Sequence, residues 1–111
     1  MVGEKTMLDI ERAVCSAVSD VMVSVSRPPV GVEELYCGKK NVPLGRVLSR
    51  NFCFHLMHSH YGFSYTVIAQ RSGMNVSSVM RCVRKYNHLV HCDALYRRVY
   101  EHLKEGGYCG W

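Results

Sequence analysis

The sequence has no aspartate or glutamate between Glu34 and Asp93. Eight basic residues lie in the same interval: Lys39, Lys40, Arg46, Arg50, Arg71, Arg81, Arg84 and Lys85. All nine acidic residues therefore lie in the N-terminal part of the chain or near its C-terminal end, and the formal net charge is +5. This segregation predicts a strongly positive surface that would suit a polyanion such as nucleic acid. The alternative is a solvated basic surface with no specific partner.

The cysteine pattern and the hydropathy pattern exclude further protein classes. The six cysteines form no Cys-x-x-Cys pair, and Cys15, Cys53 and Cys82 occupy small apolar positions within helical patterns. This favours free thiols in a reducing compartment over a disulfide framework. No apolar run approaches the roughly 20 residues needed to span a bilayer, and no signal-peptide pattern opens the sequence. We therefore expect a single-domain cytoplasmic protein of residues 1–111 with no membrane partner.

Signatures of nucleotide binding, metal binding and catalysis are also missing. No Gly-x-x-x-x-Gly-Lys-Ser/Thr run occurs, so no nucleotide site and no ATPase are expected. His55, His58 and His60 lie close together in sequence, but they lack the general-base glutamate and the fourth ligand of a zinc site. His88, His91 and Cys92 are equally unsupported by their spacing. The sequence predicts no cofactor, no metal and no catalytic residue, and the histidines are interpreted as exposed or capping residues.

Apolar spacing of three and four residues predicts an all-α fold of about six helices. The first helix covers residues 7–25, with Thr6 or Asp9 as its cap and with Glu11 and Asp20 on its solvent side. A short helix at 30–36 is followed by a basic loop at 37–46 and by a long helix at 47–60. The final helix begins after the cap Asp93 and carries Leu95, Val99 and Leu103 on one stripe. A turn is expected at Asn87-His88, and residues 106–111 are expected to form a loose tail.

Residues 63–86 predict a helix, a tight turn and a second helix. Ile68, Ala69, Val79 and Cys82 are small or apolar at the positions where two short helices would meet. Gly73 supplies a left-handed turn residue, and Ser64 caps the first helix. In a helix-turn-helix of this kind the second helix enters the major groove of DNA. The alternative is a helical hairpin within any small α domain.

The order of these elements resembles the C-terminal DNA-binding domain of the bacterial replication initiator DnaA, over residues 7–104. Val32-Glu33-Glu34-Leu35 is similar to its short acidic helix, Lys39-Lys40 to its basic loop, and Arg46 and Arg50 to the arginines that lead into its long helix. Ser64 with Ile68-Ala69 resembles Ser-Leu-x-x-Ile-Gly, Ser77-Ser78-Val79 resembles Thr-Thr-Val, and Arg84-Lys85-Tyr86 resembles Arg-Lys-Ile. The resemblance implies a Trp-repressor-like helix-turn-helix at about 64–86 that binds double-stranded DNA.

One motif departs from the family pattern. The run Gly-Gly-Arg-Asp-His-Thr-Thr is one residue shorter here and reads Gly73-Met74-Asn75-Val76-Ser77-Ser78. Asn75 and Val76 stand at the positions of the base-contacting Asp and His and cannot make the same hydrogen bonds.

Ser64, Asn75 and Val76 are candidates for DNA contact, and the other candidates divide by chemistry. Ser77, Ser78 and Arg81 suit base edges, and an arginine can pair with guanine through two hydrogen bonds. Phosphate or minor-groove contacts are assigned to Lys39, Lys40, Arg46, Arg50, Arg84 and Lys85.

The sequence thus predicts a non-enzymatic, sequence-specific DNA-binding module acting in replication initiation or its regulation. The alternative function is a non-catalytic protein-interaction module on the same fold. A partner or a second copy of the chain would dock on the N-terminal helix through the Val and Met stripe.

Overall fold

The computed structural model describes residues 6–38 and 42–108, and over these ranges the chain is helical with no β-strand. The α-helices are α1 (Met7–Ser24), α2 (Leu44–His55), α3 (Tyr65–Ser72), α4 (Val76–Cys92) and α5 (Ala94–Glu105). A 3-10 turn at Val32–Glu34 replaces the predicted short helix, and a π-helical turn at Leu56–His60 follows α2. The predicted all-α class is confirmed. Within the described ranges, no helix combines the length and apolar character needed to cross a membrane.

Helix α1 packs its apolar stripe against α2 and α5. Its N-terminus is closed by a capping box, in which the Thr6 hydroxyl accepts from the Asp9 amide and the Asp9 carboxylate accepts from the Thr6 amide. Val14, Val18 and Met22 have no exposed surface. The core therefore covers this part of the stripe, which leaves these three side chains unavailable to a partner.

Helix α2 begins at Leu44, so Arg46 lies in the helix and not in the predicted loop. Gly45 is buried because α2 passes close to α1 and to the segment before the 3-10 turn. A Cβ atom at Gly45 would lie 2.8 Å from Val30 Cγ2 and 3.1 Å from Met22 Cγ. The glycine that suggested a loop in the sequence is instead required for close packing.

Helix α4 is longer than predicted, because it passes through Asn87-His88 without a turn and ends at Cys92. Val79, Val83 and Tyr86 are buried along it at helical spacing. Leu89 and Val90 continue this stripe against the core, which explains why the helix does not stop at Tyr86.

The C-terminal part of the chain follows the prediction in part. The Asp93 carboxylate accepts from the amides of Leu95 and Tyr96 and caps α5. Tyr96 is buried with Val99 and Leu103, whereas Leu95 is half-buried. The expected loose tail is packed at Tyr108, whose half-buried side chain lies against the core and whose amide donates to the Leu103 carbonyl at 3.0 Å, while residues 109–111 lie outside the described residues.

An ion pair between a buried carboxylate and a partly exposed arginine joins α1 to α3. The Glu11 carboxylate was predicted on the solvent side, but Glu11 is only 1% exposed. Arg71 donates to it twice, from Nη2 to Oε1 at 2.7 Å and from Nε to Oε2 at 3.1 Å. The hydroxyl of Tyr36 donates to the same carboxylate. Burial raises the pKa of Tyr36, so the phenol stays protonated and remains a donor.

Replacing Arg71 with leucine should leave the Glu11 carboxylate buried without its counter-charge. Because Arg71 is itself partly exposed, we expect the free energy of unfolding to fall by about 2 kcal/mol. The double variant Glu11→Leu/Arg71→Leu removes the stranded charge and should recover most of that loss. Urea unfolding followed by circular dichroism measures all three proteins.

The control is Arg12→Leu, which changes an exposed arginine one residue along α1. A surface substitution of this kind should shift stability by less than about 0.5 kcal/mol. If Arg71→Leu costs no more than the control, the ion pair does not hold α3 against α1.

Candidate nucleic-acid interface

Helices α3 and α4 are joined by the turn Gly73-Met74-Asn75. Gly73 has φ 72° and ψ 14°, the left-handed conformation that the sequence predicted for it. A Cβ atom at Gly73 would meet nothing within 4 Å, so the requirement for glycine here is conformational and not steric crowding. Ile68, Ala69 and Val79 are buried at the contact between the two helices.

Two of the predicted DNA-contacting side chains serve as helix caps. The Ser64 hydroxyl accepts from the Val67 amide at 3.2 Å at the start of α3. The Asn75 side-chain oxygen accepts from the Ser78 amide at 2.8 Å at the start of α4. Each oxygen therefore satisfies a backbone amide that would otherwise lack a partner.

The first half of α4 presents the remaining candidates of the helix together. Val76, Ser77, Arg81, Arg84 and Lys85 are exposed, and Ser78 is half-buried. The side chains of Arg81, Arg84 and Lys85 make no hydrogen bond or ion pair with any residue that the structure describes. Their positive charge is therefore available to a ligand.

Arg46 and Arg50 are placed differently, because their guanidinium groups bind main-chain carbonyls. Arg46 Nη1 donates to the Cys37 carbonyl at 2.8 Å, and Nη2 lies 3.4 Å from a carboxylate oxygen of Glu34. Arg50 donates from Nε to the Leu35 carbonyl and from Nη2 to the Cys37 carbonyl, both at 2.7 Å. Burial and the charge of Arg46 lower the pKa of Arg50.

These bonds fix the segment 35–38 against α2. Lys39 and Lys40, the two predicted loop contacts, follow this segment directly but lie outside the described residues. The structure thus assigns the two α2 arginines to holding the beginning of the basic loop, a role that the sequence prediction missed.

A groove of about 590 Å³ runs between the start of α2 and the outer side of α4. Apolar atoms of Leu44, Val47 and Leu89 line it, and Arg81, Arg84 and Lys85 stand along it. A smaller recess of about 170 Å³ lined by Arg50, Arg81 and Lys85 lies beside the turn residue Met74. The groove was not predicted, because its far end depends on the continuation of α4 beyond Tyr86.

The histidines at the end of α2 pack on aromatic rings. His55 stacks on Tyr86 with ring centroids 3.9 Å apart, and His58 stacks on Tyr65 at 3.8 Å. His58 Nδ1 also lies 2.9 Å from the Phe63 carbonyl oxygen. Over residues 6–38 and 42–108, no cluster of three or more His, Cys, Asp or Glu side chains has the geometry to hold a metal ion.

Comparison with known proteins identifies no relative: no protein-family model, no curated protein and no solved structure matches this chain.

Stability should fall on acidification because of His55. Burial, with smaller effects from the charges of His60 and His58, lowers the pKa of His55 from 6.5 to about 4. Above pH 6.5 the imidazole is neutral in both states. Between pH 6.5 and about 4 the unfolded chain takes up a proton that the folded chain does not, so the free energy of unfolding decreases across this window. The partial exposure of the ring limits the expected loss to on the order of 2 kcal/mol.

The matched variant is His55→Phe, which keeps an aromatic ring beside Tyr86 and removes the titrating group. Its unfolding free energy, measured by urea titration at several pH values, should fall less than that of the wild type over the same window. His102→Gln, at an exposed position on α5, should keep the wild-type profile. Superimposable profiles for His55→Phe and wild type would show that His55 does not cause the acid sensitivity.

Proposed function

We propose that this protein is a non-enzymatic, sequence-specific binder of double-stranded DNA, with α3 and α4 as a helix-turn-helix of the Trp-repressor-like type. The proposal rests on the part of α4 between Val76 and Lys85. This part exposes Ser77, Arg81, Arg84 and Lys85 directly after a tight turn, on a segment from Leu44 to Cys92 that contains no acidic residue. Cations that have no partner among the described residues, gathered on one helix, suit the phosphate backbone.

Helical geometry separates the residues of α4 that would contact bases from those that would contact phosphates. Arg81 lies four residues after Ser77 and therefore on the same face, one turn further along. Serine hydroxyls and an arginine fork provide donors and acceptors for base edges in the major groove. Arg84 and Lys85 lie one turn beyond and suit phosphates, which position the helix without reading sequence.

The resemblance to the DNA-binding domain of DnaA supports a role in replication initiation or its regulation, in the cytoplasm. Asn75 and Val76 replace the acidic and histidine readers of that family, so the preferred site is expected to differ from the usual initiator box. No nucleotide-binding motif is present in the sequence. The proposed activity is therefore occupation of a DNA site, without nucleotide-driven melting of an origin.

Arg81→Ala should weaken binding to the preferred duplex and relax base preference at one position. Loss of a two-pronged guanine contact is expected to cost about 1 to 3 kcal/mol, or roughly 5- to 150-fold in affinity. The preferred duplex is first selected from a random-sequence pool, and affinities are then measured by fluorescence anisotropy. Arg12→Ala, an exposed arginine of α1, is the control and should leave affinity unchanged.

If Arg81→Ala and Arg12→Ala bind the selected duplex equally well, α4 is not the reading helix. If Arg81→Ala weakens all duplexes by the same factor, Arg81 contacts phosphate and not a base edge.

Lys39→Ala and Lys40→Ala should each weaken binding to every sequence alike. Each variant should reduce the slope of log affinity against log salt by about 1, because one phosphate contact is lost. Lys104→Ala, at an exposed position on α5, supplies the control for a change in overall charge. An unchanged salt slope in both loop variants would remove the loop from the interface.

A further inference from the structure

The groove between α2 and α4 combines two features that duplex DNA does not need together. Its lining carries apolar atoms of Leu44, Val47 and Leu89, and Leu44 is 38% exposed. Its rim carries the cations of Arg81, Arg84 and Lys85. A phosphate backbone would satisfy the rim and leave the apolar lining uncovered.

The polar groups at the base of the groove already have partners. Asn51 donates to the Tyr96 hydroxyl at 2.7 Å, and both side chains are buried. Asp93, the one carboxylate among the described residues of the lining, accepts from two amides at the start of α5. The base therefore favours an apolar occupant, while the rim favours a negatively charged one.

We infer that this groove binds an acidic amphipathic peptide segment of a partner protein. Apolar side chains of the segment would lie on Leu44, Val47 and Leu89, and its carboxylates would face Arg81, Arg84 and Lys85. The volume of about 590 Å³ can take several side chains of such a segment. Peptide binding does not depend on the proposed DNA activity.

A second consequence does rest on the proposed function. The rim residues Arg81, Arg84 and Lys85 are also the residues assigned to DNA, so an acidic segment in the groove would exclude the duplex. The partner would then act as a competitive antagonist of DNA binding.

The test uses a fluorescein-labelled peptide of 16 residues as the probe, with leucines at helical spacing and glutamates elsewhere. A scrambled peptide of identical composition serves as its control. We expect the patterned peptide to bind at least about tenfold more tightly, because only its leucines can reach the lining together. Anisotropy titrations measure both peptides against the full chain.

Two variants distinguish the contacts needed for peptide binding from those needed for DNA binding. Leu44→Gln should weaken the patterned peptide by about fivefold or more and leave duplex affinity within about twofold, because Leu44 adds apolar surface and no charge. Arg84→Glu should weaken the peptide and the duplex, and Arg12→Glu on α1 controls for the change in charge. Circular dichroism and thermal unfolding check that each variant is folded.

Equal affinity for the patterned and scrambled peptides would overturn the inference, since charge alone would then explain binding. An unchanged peptide affinity in Leu44→Gln would also overturn it. If Leu44→Gln weakens the duplex and not the peptide, the groove belongs to the DNA interface. Peptide binding without any duplex binding would support the groove and reject the proposed DNA function, so the two failures are distinguishable.

Discussion

The bidentate ion pair between Glu11 and Arg71 is the interaction on which the placement of the candidate interface depends. Glu11 belongs to α1, whose stripe is buried against α2 and α5, and Arg71 belongs to the last turn of α3. Tyr36 ties the segment after the 3-10 turn to the same carboxylate. Burying an unpaired carboxylate at 1% exposure would lower the stability of the fold. The pairing therefore favours one arrangement of α1, α3 and the segment that contains Tyr36. Because Gly73 directs the chain from α3 into α4, fixing α3 also directs the start of α4.

Arginines elsewhere in the basic segment divide between scaffold and surface. Arg46 and Arg50 donate hydrogen bonds to carbonyls of residues 35–38 and so hold the segment that leads into the basic loop. Arg81, Arg84 and Lys85 are exposed beside an apolar groove and make no such bonds with the residues that the structure describes. The basic residues of this span thus serve two purposes, packing and the proposed recognition. Composition alone does not separate the two uses.

Local sequence signals predicted helix starts and the turn before α4. Side-chain positions that depend on residues far away in the sequence were not predicted. The caps at Ser64 and Asp93 and the left-handed Gly73 each depend on a few neighbouring residues, and so does the start of α1, where both expected candidates, Thr6 and Asp9, take part in the cap. The charge of Glu11 favours the solvent side, but its spacing places it on the buried stripe, since it lies four residues after Met7 and three before Val14. Arg46 and Arg50 carry no local sign that carbonyls 9 to 15 residues away will occupy them. Gly45 resembled a loop residue because the approach of α1 is not visible in its own segment.

The decisive measurement is the affinity of the purified protein for random duplex DNA over a salt series, followed by selection from a random-sequence pool. We expect log affinity to fall linearly with log salt and one sequence to be enriched, since cations of α4 and the loop would replace counterions while α4 would read bases. Absence of duplex binding at low salt would contradict this expectation. The basic surface of α4 would then serve a protein partner and not DNA.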